Sequence, residues 1–64
     1  MNSALPDEAT TRNAKLYLDD AFSSDPTLSR MTAIMLLQDA FALMFVEAEA
    51  VWNLWKKERF EVTA

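Results

Sequence analysis

The sequence predicts an all-α fold: a helical hairpin of short helix, tight turn and long helix, pairing with a second copy into a homodimeric four-helix bundle. Three observations predict it. The 64 residues include no Gly, and the tight primed turns of β-hairpins depend on Gly. The two prolines, Pro6 and Pro26, stand where a first helical turn tolerates them. Between Met31 and Val46, in MTAIMLLQDAFALMFV, only Thr32, Gln38 and Asp39 are polar, which is more apolar surface than so short a hairpin covers alone.

Helix 1 is expected over about 6–22. Asp7 and Glu8 stand in its first turn, where the positive end of the helix dipole favours acids. Glu8 and Arg12 are spaced i,i+4 in the favourable order. Ala14, Tyr17, Leu18, Ala21 and Phe22 form one apolar stripe at helical spacing. The turn is expected at 23–26, SSDP, with Asp25 as N-cap and Pro26 opening the next helix; a start at Ser29 is the alternative. Helix 2 then meets no breaker over about 27–60, roughly 50 Å of helix if continuous. Lys56, Lys57 and Arg59 fall in its last turns, where the negative dipole end favours cations. One domain, 1–64, holds both helices.

On a helical wheel, Ile34, Leu37, Phe41, Met44, Ala48, Val51, Trp55 and Val62 make a heptad seam interrupted by Glu58. Leu36, Ala40, Leu43, Ala50 and Leu54 form a second row beside it, and the whole apolar arc spans roughly 200°, about twice that of an ordinary surface helix. Helix 1 can cover one row over half the length. The other predicts a dimer interface at Ile34, Leu37, Phe41, Met44, Ala48 and Val51. Oligomerisation is also what remains once alternatives are removed. A chain this small buries only about 60% of its unfolded surface, and small folds make up the deficit with disulfides, a metal or a partner. There is no Cys and no His, which excludes disulfides and disfavours structural zinc.

The same inventory restricts function. Without Gly there is no phosphate loop and no dinucleotide fingerprint. Without His or Cys, catalysis has little to stand on. Asp19 and Asp20 are a carboxylate pair, but consecutive helical residues do not face each other, and they read as solvation of the end of helix 1. No enzyme, cofactor, metal or small-molecule substrate is expected. A net charge of −4 repels a phosphate backbone, so nucleic acid is not expected as a partner. MNSALPDEA lacks a basic region followed by an apolar run, so no signal peptide is expected. The stretch 31–46 is shorter than the roughly 20 residues a membrane span needs; the absence of Cys leaves the redox compartment undecided but fits the cytoplasm, which is the expectation.

Several residues carry candidate binding roles. Trp52, Trp55 and Phe60 stand among Lys56, Lys57 and Arg59, and aromatics with Arg are what interface hot spots are made of. Trp52, Trp55, Arg59 and Phe60 are therefore the predicted partner-binding set; the alternative is that Trp55 plugs the end of the dimer core and the cations solvate the helix end. Glu47 falls inside the apolar arc, where a carboxylate is costly unless paired; Arg12 or Lys15 is its expected partner. Met35 and Val46 lie toward the polar arc and mark a partner patch if exposed. The expected function is a small non-enzymatic regulator or inhibitor acting by protein–protein binding as a helical homodimer. The alternatives are an assembly subunit of a larger complex and, more weakly, an amphipathic protein of the membrane surface.

Overall fold

A computed structural model of the chain describes residues 4–60, and among these there are three helices and no strand. α1 spans Glu8–Ser24, α2 Arg30–Phe41 and α3 Phe45–Phe60. The all-α expectation holds, and the two-helix hairpin is corrected. The long helix predicted over 27–60 is two helices, α2 and α3, and the chain turns by 118° between them.

α1 begins after Asp7, which takes the N-cap position with an extended backbone but makes no side-chain cap. Thr11 ties the approach down instead: its Oγ1 donates to the Pro6 carbonyl at 3.0 Å. At the far end the Asp25 N–H still reaches the Ala21 carbonyl. Asp25 then organises a turn. Its Oδ1 accepts from the Thr27 N–H at 3.1 Å and the Thr27 hydroxyl at 2.6 Å, and its carbonyl accepts from the Leu28 N–H at 3.0 Å. Asp25-Pro26-Thr27-Leu28 is thus a closed four-residue turn with Pro in the second position, as turn chemistry favours. This corrects the reading of Asp25 as the N-cap of the second helix and of Pro26 as its first residue; Asp25 is the C-cap of α1. Ser29, the alternative start, is the N-cap of α2, its side chain accepting from the Thr32 N–H at 3.2 Å.

The α2–α3 corner is built without the residues that usually build one. Ala42 holds φ 54 and ψ 43, the one non-glycine residue with positive φ among those described. The N–H groups of Ala42 and Leu43 both turn back to the Gln38 carbonyl, a left-handed helix ending in which Gly normally takes the place of Ala42. An L-residue there pays roughly 1–2 kcal/mol. α3 opens at Met44, whose side chain cannot cap. The Glu47 carboxylate accepts from the Met44 N–H at 2.9 Å, half of a capping box. That bond corrects the expected pairing of Glu47 with Arg12 or Lys15.

The bend closes the apolar seam upon itself. Ile34 and Leu37 of α2 and Ala48 and Val51 of α3 are completely buried within one chain, in a single cluster with Ala14, Leu18, Ala33, Trp52 and Trp55. Four of the six residues predicted for a dimer interface are therefore consumed by the chain's own core. The physical reason is that α2 folds back to cover the face of α3 that a second copy was expected to cover. Of the other two, Phe41 is half-buried against Tyr17, ring centroids 5.7 Å apart and edge-on, and Met44 is 67% exposed. Val62 of the predicted seam lies outside the described residues. The Cα radius of gyration is 11.2 Å, close to the roughly 11 Å of a globular domain of this length. A single chain is thus already folded around one core.

Candidate functional site

Two surfaces stand out: an aromatic cluster where α1 ends against the second half of α3, and the exposed apolar residues of the stretch 31–46. The cluster is set by spacing. On α3, Trp52, Trp55 and Arg59 recur at three- and four-residue steps and so share a face; on α1, Asp19 and Phe22 do the same. The Trp55 ring stacks edge-on against Phe22 at 5.6 Å and Phe60 at 5.9 Å, and lies 5.4 Å from the tilted Trp52 ring. The Arg59 guanidinium lies over Trp55 at 5.4 Å and within 5.9 Å of both Phe22 and Phe60. One carboxylate oxygen organises the rest: Asp19 Oδ1 accepts from Trp55 Nε1 at 2.8 Å and from Arg59 at 2.7 Å.

This arrangement divides the predicted partner-binding set. Trp52 and Trp55 retain 6% and 3% exposure, so both serve the core of the single chain. An indole that must bury its rings and satisfy its N–H finds both beside Asp19. Arg59 and Phe60 remain on the surface, Phe60 half-exposed. Sequence reasoning missed Asp19 as the acceptor that positions Trp55. The available signal was its place three residues before Phe22, on the side of α1 that faces α3.

Beside the cluster runs an open groove of about 420 Å³, with Phe22, Leu28, Trp52 and Phe60 among its walls and Arg30 and Lys56 as its charged lining. The Lys56 ammonium sits 5.9 Å over the Trp52 ring. Arg30 also pairs with Glu49 across α2 and α3. Such a groove can seat an apolar side chain with a carboxylate toward Lys56. Lys15 of α1 pairs with Glu58 at 3.0 Å.

The second surface is the greasy stretch itself. Met31 and Met35 stand one turn apart on α2, 52% and 60% exposed, and Met44, Phe45 and Val46 follow one another at the corner, with Phe45 45% and Val46 50% exposed. Met35 and Val46 are the two residues that sequence reasoning marked as a patch if exposed. Flexible thioethers in such a place adapt to a partner's shape.

Two helices meeting through a three-residue break at this angle have the outline of a helix-turn-helix, but the half of α3 that would enter a groove carries Glu47 and Glu49 and no cation. Among the described residues there is no group of three or more acidic side chains placed to hold a metal ion. No single helix there is long and apolar enough to cross a membrane. The chain matches no family model, no curated protein and no solved structure.

Proposed function

We infer that this chain is a small non-enzymatic protein, regulatory or inhibitory in role, that acts in the cytoplasm by binding another protein and by associating with itself. The observation that carries the reading is the exposure of Met31, Met35, Met44, Phe45 and Val46 after the core is complete. Burying one such side chain is worth about 1.5–3 kcal/mol, and monomeric proteins seldom leave so many uncovered within one short stretch. A stable interface needs about 800 Å² from each partner, close to a fifth of the 4423 Å² this chain exposes. Arg59, Phe60 and the groove at Lys56 offer a separate aromatic and cationic surface at the other end of α3.

Light scattering over a wide concentration range, on the wild type and on a Met35→Glu/Met44→Glu variant, tests the reading. Both positions are exposed, so helicity and melting should survive the change, while self-association and any cellular effect of the protein should be lost. A wild type that stays monomeric throughout, together with a double variant that keeps every cellular effect, would overturn it.

A further inference from the structure

The α2–α3 corner is at odds with its own sequence. From Phe41 to Phe45 the chain reads Phe-Ala-Leu-Met-Phe. Ala, Leu and Met rank among the strongest helix formers, and neither Gly nor Pro interrupts them. Local preference therefore favours one helix running through the corner. Against that preference Ala42 is held in the left-handed region and Met44 stands as an N-cap with no capping side chain. What holds the bend is tertiary: Ala33, Ile34 and Leu37 pack in one cluster with Ala48, Val51 and Trp52. Those contacts do not require that α2 and α3 belong to the same chain.

We propose that residues 42–44 are a hinge and that a second copy of this chain is the partner it serves. With the hinge straight, α2 and α3 fuse into one helix from Arg30 to Phe60, roughly 46 Å long. The α1–α2 unit of each copy then packs on α3 of the other, which is domain swapping. Every core contact is kept. The left-handed strain at Ala42 is released, and the backbone groups of the corner gain ordinary helical partners. The two straightened hinges meet where the copies cross, so Met44, Phe45 and Val46, exposed in the bent chain, face their equivalents and are covered. The exchange offsets the entropy of association, so the swapped form gains with concentration. This inference rests on the self-association proposed above and specifies its geometry.

Substitutions at the hinge separate the two forms without touching the core. Ala42→Gly relieves the left-handed position, and Phe45→Pro places Pro at the first position of α3, where it is tolerated in the bent chain but breaks a continuous helix. Ala42→Ile does the reverse, because a β-branched residue resists positive φ. The dimer dissociation constant from light scattering should rise at least tenfold for Ala42→Gly and for Phe45→Pro and fall at least tenfold for Ala42→Ile.

The swap itself is read by cross-linking, which is clean because the chain has no native Cys. Lys15 and Glu58 touch across α1 and α3. A Lys15→Cys chain is unfolded and refolded together with a Glu58→Cys chain, then treated with a short bismaleimide. Mixed covalent dimers should dominate, and should be suppressed when both chains also carry Phe45→Pro. Dimers that form without that cross-link would overturn the hinge while leaving self-association standing. Monomers throughout, in the wild type and in Ala42→Ile, would overturn both.

Discussion

Asp19 is where a single atom holds two elements together, and removing it should reveal what that atom contributes. Its Oδ1 accepts from the indole N–H of Trp55, a residue 3% exposed, and from Arg59. In Asp19→Ala the indole N–H loses its acceptor at a partly buried site; a hydrogen bond to a charged group is worth about 1.5–3 kcal/mol. The Asp19–Arg59 pair is half-exposed, with side chains at 48% and 43%, and adds only about 0.2–1 kcal/mol. The expected loss is therefore about 2–4 kcal/mol. In a domain this small that lowers the melting temperature by about 10–20 °C. Asp19→Asn keeps an oxygen in place for Trp55 and gives up the charge, so it should cost only about 1 kcal/mol. Urea unfolding followed by circular dichroism gives both values, at a chain concentration low enough to keep the protein monomeric. If the Asn variant is as unstable as the Ala variant, the charge matters more than the bond. If Asp19→Ala costs under about 0.5 kcal/mol, the contact contributes no more than an ordinary surface residue.

The other expectations test separate parts of the fold. Leu37→Ala removes a side chain with no exposure and should cost about 2–5 kcal/mol in the same unfolding assay. Ser29→Ala deletes the N-cap of α2 and should cost about 1 kcal/mol. Ala42→Gly should stabilise the monomer by about 0.5–1 kcal/mol, the relief of left-handed strain exceeding the entropy that Gly adds to the unfolded chain. Met35→Glu, at a position 60% exposed, should shift monomer stability by less than about 0.5 kcal/mol while weakening self-association in light scattering.

Helical content and the boundaries of α1 were legible because they rest on local chemistry. The missing glycines and the acids of the first turn point the same way in isolation and in the fold. α1 at Glu8–Ser24 differs from the expected 6–22 by the residue or two over which helix ends fray. The break at 42–44 was not legible for the opposite reason. Ala42, Leu43 and Met44 are helix formers, and only the long-range pairing of Ile34 and Leu37 with Ala48 and Val51 bends them. The heptad reading found the right buried residues, and in the single chain they meet one another across the bend, since a seam that folds back on itself has the same pattern as one that meets a second chain. Trp52 and Trp55 were ambiguous in sequence because a large aromatic near cations suits an interface and a core equally well. Asp19 decides the matter for Trp55, and its place against α3 depends on how α1 crosses that helix.

The division of the core among the helices bears on how the protein is made. α1 contributes Ala14 and Leu18 and α2 contributes Ala33, Ile34 and Leu37, while α3 alone brings Ala48, Val51 and both tryptophans. A nascent chain cannot bury Ala33, Ile34 and Leu37 fully until the ribosome has released most of α3. Folding therefore waits until α3 has emerged, and any product that stops short of Trp55 displays uncovered Leu and Ile side chains. Quality-control chaperones and proteases recognise that kind of surface, so each incomplete copy carries its own signal for removal.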